Sequence, residues 1–210
     1  MKFALTDALS NAWPMIIIFT VILSSLRISY LFVKKEKFVL YKELLLLSFL
    51  IYILLLFYIV SFQDSSYGSS NFIPFKEIFR YELNDKLFLT NVVGNILLFI
   101  PFGLFISYIL GIKKVIPIII LTLISSISIE VTQILIGRVF DVDDVILNLL
   151  GGIIGFYIYK IFFNISYKLP SIFKKDWFIN MIIILLFLVL FAYFSDFYKY
   201  LIGTVIKWIL

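Results

Sequence analysis

Six long apolar runs constrain this chain more than any other feature of its sequence. Each run is long enough to cross a bilayer core, which takes about 20 residues of helix. We expect helices because hydrocarbon cannot satisfy an open backbone, and the runs lack the alternation typical of a β-barrel. We therefore predict an all-α, polytopic transmembrane helix bundle of about six spans, without an extramembrane domain. The predicted spans are Ala12–Val33, Glu43–Phe62, Asn91–Leu110, Val115–Ile136, Val145–Phe163 and Trp177–Phe194.

The composition narrows the chemistry that such a bundle can carry. The 210 residues include no cysteine and no histidine, which excludes thiol nucleophiles, disulfides, imidazole bases and the usual zinc and haem ligands. Any chemistry must come from carboxylates, amides, hydroxyls and arginine, and we expect neither a cofactor nor a metal. The net charge of +5 is typical of anchoring loops and indicates no nucleic-acid partner, so the expected partner is the lipid bilayer.

The loops between the predicted spans alternate in charge. One set is rich in lysine and has few acidic residues, whereas the opposite set holds most of the aspartate and glutamate. Because cytoplasmic loops carry an excess of lysine and arginine, the lysine-rich loops are predicted to be cytoplasmic. We therefore expect a multi-pass protein of the cell membrane with both termini on the extracytoplasmic side. The lysines of the first set are Lys34, Lys35, Lys37, Lys42, Lys113, Lys114, Lys160, Lys168, Lys174 and Lys175.

Three of the predicted spans carry polar residues in the same, outer half of the membrane. Their spacings of three and four place the residues of each span on one helix face. The fifth span adds a face of glycines that suits close contact between helices. Because the three polar faces lie at one depth, we predict that they meet. The residues are Asn91 and Asn95 in the third span, Ser126, Glu130 and Gln133 in the fourth, and Asp144, Asn148, Gly151, Gly152 and Gly155 in the fifth.

Glu130 and Arg138 are the strongest functional candidates. Glu130 lies roughly 10 Å inside the predicted end of its helix, at 1.5 Å of rise per residue. A charged carboxylate at that depth costs a few kcal/mol, so it must be protonated, hydrated or paired. Arg138 is one of three arginines among 18 basic residues. Its guanidinium fork can fold back onto this carboxylate or reach outward to a phosphate.

Two further charged features have simpler interpretations. In the acidic loop of residues 137–144, Asp143 or Asp144 is expected to cap the fifth helix, where acids also meet the positive end of the helix dipole. The aspartates of this loop can alternatively hold a hard cation through oxygen ligands. Arg27 lies near the cytoplasmic end of the first span, and we expect its side chain to extend to the lipid headgroups.

Five short motifs follow one another between Asn71 and Lys160. They are Asn71-Phe-Ile-Pro-Phe75, Asn91-Val-Val-Gly-Asn95, Phe99-Ile-Pro101-Phe-Gly103, Glu130-x-x-Gln133 and Arg138-x-x-Asp141-x-x-Asp144-x-x-x-Asn148-x-x-Gly151, closing at Gly155. Their order and spacing resemble the VanZ-like membrane proteins. The family is named for a protein linked to low-level resistance to teicoplanin, a glycopeptide that acts on cell-wall precursors. The family's polar motif falls on the polar set selected above, which we predict to be a binding set, and we name no catalytic residue. The set is Asn91, Asn95, Glu130, Gln133, Arg138, Asp141, Asp144 and Asn148.

The resemblance also divides the chain into three predicted parts. Residues 1–70 form an N-terminal region of two spans, residues 71–163 a VanZ-like core of three spans, and residues 164–210 a C-terminal span with an interfacial tail. The tail, Asp196–Leu210, is too short to span alone. It either lies in the headgroup region or lengthens the sixth span.

Three functions stay open at this point, and we favour the first. A polar pocket in the outer leaflet binds the headgroup of a lipid, glycolipid or envelope precursor, with Arg138 on its phosphate or carboxylate, and so lowers susceptibility to teicoplanin. Alternatively, the chain is a membrane enzyme acting on a lipid-linked envelope substrate. Glu130 would then be the acid or base, and Asp141 and Asp144 would hold a cation. The third function is a small transporter, although no internal repeat is evident.

Overall fold

A computed structural model describes residues 2–62, 70–76, 78–80 and 86–194. Within these residues six helices are long and apolar enough to cross a membrane, and the regular structure is helical apart from one isolated bridge between Asn71 and Asp141. The predicted fold class is confirmed: the chain is an all-helical, multi-pass membrane protein. The helices are α1 (Lys2–Lys34), α2 (Leu40–Phe62), α3 (Gly94–Leu110), α4 (Val115–Leu135), α5 (Val142–Lys168) and α6 (Asp176–Phe194).

The helix bounds differ from the predicted spans most at α1, which begins at Lys2 instead of Ala12, and by a few residues at α2, α3 and α5. A π-helical turn, Leu89–Val93, leads directly into α3. α5 begins three residues before its predicted start and runs to Lys168. It ends there because Leu169 precedes a proline and takes an extended conformation, which a residue before proline favours. The tail predicted over Asp196–Leu210 lies outside the described residues, and the three-part division of the chain stays a prediction.

Helices α3, α4 and α5 form the packed centre of the bundle. Buried residues make up 39% of the α5 span, whereas the α6 span has 0%. α3 and α5 touch through glycines: a Cβ added at Gly103 would lie 2.8 Å from the carbonyl carbon of Gly152, and one added at Gly155 would lie 2.8 Å from the backbone nitrogen of Leu104. Since real side chains do not tolerate such distances, the predicted glycine face is a contact between two backbones.

Helices α4 and α5 run antiparallel in a register that two contacts define. A Cβ added at Gly152 would lie 2.9 Å from Cγ2 of Thr122. One turn further, the Asn148 amide donates to the Ser126 hydroxyl at 2.9 Å. Advancing one more turn, four residues along each helix, brings Glu130 to the level of the first turn of α5. The antiparallel packing therefore brings the buried carboxylate of α4 close to the N-terminus of α5.

Polar contacts attach α2 to this centre and α6 to α2. The Tyr52 hydroxyl of α2 donates to the Leu98 carbonyl of α3 at 2.6 Å. α6 is attached to the start of α2, where the Tyr41 backbone N–H donates to Asn180 Oδ1 at 3.0 Å. The Tyr41 hydroxyl also donates to Asp176 at 3.0 Å. These contacts place α2 between the central helices and α6.

Candidate functional site

The predicted site residues of α3, α4 and α5, together with Ser126 and Asp143, form what we call the polar cluster. The turn between α4 and α5 positions several of them. Gly137 takes a left-handed φ of +87°, which glycine adopts at little cost, and the Arg138 N–H closes the end of α4 on the Gln133 carbonyl at 2.9 Å. The Asp141 side chain then accepts from the Asp143 N–H at 2.9 Å and caps α5. The prediction that Asp143 or Asp144 is the cap was wrong, because the helix begins at Val142 and the residue just before it has the extended geometry of a cap.

Glu130 lies at the centre of a relay of hydrogen bonds. Its side chain is 1% exposed, and its Oε2 accepts from the Asp141 N–H at 3.0 Å. With the Gln133 amide oriented so that both of its neighbours are satisfied, Gln133 donates to Glu130 Oε1 at 3.1 Å and accepts from Arg138 NH1 at 2.7 Å. The amide thereby couples the guanidinium to the buried carboxylate, and both lie near the C-terminal end of α4.

Two amides join the three central helices at the same end. Asn95 of α3 donates to Asp144 of α5, and Asn148 of α5 donates to Ser126 of α4. Asn91 lies in the π-helical turn one turn before Asn95, where its side chain is half-buried. Helical turns of this kind are frequent at functional sites. The polar faces of α3, α4 and α5 therefore meet, while the role of this residue set in binding stays a prediction.

Asp143 is a structural part of the cluster that the sequence did not reveal. Its side chain is 1% exposed, and its two oxygens accept from the Phe75 N–H at 2.5 Å and the Ile78 N–H at 3.2 Å. Both donors belong to what we call the outer segment, residues 70–76 and 78–80. A buried aspartate at the start of α5 thus holds a segment that precedes α3 in the chain.

The outer segment is also hydrogen-bonded to the α4–α5 turn by its backbone. The Asn71 N–H donates to the Phe140 carbonyl at 2.8 Å, and the Val142 N–H donates to the Asn71 carbonyl at 3.0 Å. The Asn71 amide donates to Asp141 Oδ1 at 2.9 Å. In the sequence, the motif Asn71–Phe75 was the feature that drew attention to this segment. Its spacing did not identify the residues that the segment contacts.

Carboxyl groups outnumber cationic groups in the cluster, and only some of them reach the surface. Asp144 interacts electrostatically with Glu130, Asp141 and Asp143, as well as with Arg138. The carboxylates of Glu130 and Asp143 are buried, whereas Arg138, Asp141 and Asp144 are half-buried. The surface of the cluster therefore combines one cation with two acids. In the described part of the chain, no group of three or more acidic residues is arranged to hold a metal ion.

Comparison with known proteins identifies the family. A family model described as VanZ/LLP1 matches residues 44–164, which is more than half of the chain. The match includes most of α2, so it begins before the motifs that start at Asn71. Neither the curated proteins nor the solved structures give a significant match. The outer motifs, the six helical spans and the extent of this match together show that the chain belongs to the VanZ/LLP1 family of membrane proteins.

Proposed function

We propose that this protein binds the headgroup of a lipid or cell-envelope precursor at the polar cluster between α3, α4 and α5. The observation that carries the proposal is the relay behind Arg138. The guanidinium is half-buried, and its NH1 donates to the Gln133 amide, which in turn donates to the buried Glu130. A guanidinium restrained in this way loses little entropy on binding and offers a planar fork that suits phosphate or carboxylate.

The acids beside Arg138 restrict the kind of headgroup. Asp141 and Asp144 reach the surface next to this arginine, whereas Glu130 and Asp143 are buried. A headgroup that offered only acceptor oxygens would match Arg138 but would leave the surface carboxyl groups of Asp141 and Asp144 without hydrogen-bond donors from the ligand. The ligand that fits combines a phosphate or carboxylate with hydroxyl or ammonium donors. Sugar-bearing and peptide-bearing envelope precursors have this combination.

The proposed orientation places the cluster where such headgroups occur. With the lysine-rich loops in the cytoplasm, both termini and the cluster face the extracytoplasmic side of the cell membrane. A precursor headgroup held there is less accessible to a glycopeptide. Binding would therefore lower susceptibility to teicoplanin.

Replacing Arg138 by lysine tests the proposal, because lysine keeps the charge and loses the fork. We expect Arg138→Lys to be as defective as Arg138→Ala, both in a teicoplanin susceptibility assay and in headgroup binding by purified protein. The matched control is Arg80→Lys in the outer segment, where the arginine side chain is exposed. If Arg138→Lys behaves like wild type in both assays, the fork has no role and the proposal is wrong.

An enzymatic function has one observation in its favour. Glu130 and Asp144 belong to facing helices and interact electrostatically at the same end of the bundle. Paired carboxylates in such a place can act as acid and base. Incubating purified protein with extracted lipids, with and without a chelator, would reveal turnover by mass spectrometry. Turnover that Glu130→Gln abolishes would replace simple binding as the function.

A further inference from the structure

A second charged site lies in the α1–α2 hairpin, largely outside the region that the family model matches. Arg27 donates to Glu43 through two bonds, Nε to Oε2 at 2.9 Å and NH2 to Oε1 at 3.1 Å. Its guanidinium also lies 5.4 Å from the ring centroid of Tyr30. The Arg27 side chain, which we expected to extend to the headgroups, is thus bonded to Glu43 at the start of α2.

A crevice of about 160 Å³ adjoins this ion pair. Its walls are mostly leucine side chains of both helices, among them Leu31 and Leu47, and the ion pair supplies most of its polar lining. Ile28 and Phe38 line the crevice and are 50% and 60% exposed, so it opens on the surface of the hairpin. Since both helices cross the membrane, that surface faces lipid.

The loop that adjoins the crevice is rich in lysine. Phe38, one of its lining residues, belongs to the short loop between α1 and α2. The same loop begins after Lys34 and includes Lys35 and Lys37, and all three lysine side chains are exposed. Glu36 is the single acid among them. An apolar crevice thus ends at a cluster of lysines on the predicted cytoplasmic side.

We propose that the α1–α2 hairpin binds one anionic phospholipid of that leaflet. An acyl chain fills the crevice, and the phosphate lies at the loop with Lys35 and Lys37. Basic residues beside crevices between membrane helices attract anionic headgroups in this way. The lipid also explains how the Arg27–Glu43 pair is tolerated, because the polar glycerol and phosphate region shields an ion pair that bare hydrocarbon would disfavour. This site is independent of the outer polar cluster.

Native mass spectrometry of the full chain, titrated separately with phosphatidylglycerol and phosphatidylcholine of identical acyl chains, tests the inference. We expect wild type to retain phosphatidylglycerol in preference to phosphatidylcholine. The double variant Lys35→Gln/Lys37→Gln should lose roughly tenfold or more in affinity for phosphatidylglycerol, since each lysine near an anionic headgroup contributes on the order of a fivefold factor. The matched control, Lys113→Gln/Lys114→Gln, removes two exposed lysines from another loop of the same side and should retain wild-type affinity.

A cavity-filling variant tests the acyl chain separately. Leu47→Trp occupies the crevice and should reduce retention of both lipids, while the protein stays monodisperse. Equal retention of both lipids by wild type would overturn the inference. An equal loss of affinity for phosphatidylglycerol in the two double-lysine variants would also overturn the inference. It would show that any exposed lysine of this side attracts the anionic lipid equally well. Neither result would affect the proposed function, since Arg138 lies at the opposite end of the bundle.

Discussion

Removal of the Asp143 carboxylate should release the outer segment from the α4–α5 turn. In the structure Asp143 accepts from the N–H groups of Phe75 and Ile78. A hydrogen bond to a charged group contributes about 1.5–3 kcal/mol, so the two bonds together contribute at least about 3 kcal/mol. Asp143→Ala should therefore raise the population of the detached segment on the order of 100-fold. The backbone pairing of Asn71 remains in the variant, and it limits how far the detachment extends.

Amide hydrogen exchange measured by mass spectrometry reports this release directly. Peptides covering the outer segment should exchange on the order of 100-fold faster in Asp143→Ala than in wild type. Peptides from the α1–α2 hairpin should be unchanged, which separates local detachment from unfolding of the bundle. Asp144→Asn is the matched control, because Asp144 accepts from Asn95 of α3. Unchanged exchange in Asp143→Ala, or equally fast exchange in Asp144→Asn, would refute the reasoning.

Three further predictions concern the packing of the helices. Gly103→Ala should lower the free energy of unfolding by about 3 kcal/mol, because the added Cβ would lie 2.8 Å from the carbonyl carbon of Gly152. Thermal unfolding in detergent measures this loss, and an unchanged melting temperature would contradict the prediction. Glu130→Ala should cost about 2–5 kcal/mol in a denaturant titration, since it leaves buried donors without an acceptor, and Glu130→Gln should cost less. Asn180→Ala should reduce disulfide crosslinking between cysteines placed in α2 and α6, because it removes the acceptor of the Tyr41 N–H; equal crosslinking would show that this bond does not hold α6.

The parts of the structure that depend on local sequence were predictable. Hydropathy over about 20 residues decides whether a helix can span a membrane, and it located all six spans. Spacings of three and four placed Glu130 with Gln133 on one face of α4, where the structure shows both of them buried. The glycines of α5 were correctly predicted to pack against another helix.

The remaining parts depend on contacts between distant residues. Asp143 and Phe75 are separated by 68 positions, and no local pattern states that one binds the other. The N-cap of α5 was misplaced because several aspartates follow one another, and only the backbone conformation of the turn selects Asp141. The partner of Arg27 was missed for the same reason, since Glu43 lies across a helical hairpin.

The bridge between Asn71 and Asp141 has a consequence for biosynthesis. These two residues are 70 positions apart. Asn71 therefore leaves the ribosome long before Asp141, whose neighbouring backbone groups will pair with it. Two membrane helices, α3 and α4, must be inserted in the interval, and the unpaired backbone must meanwhile stay hydrated. Docking of the outer segment is thus a late event in maturation, and its completion would report that the α4–α5 pair entered the bilayer in the correct topology.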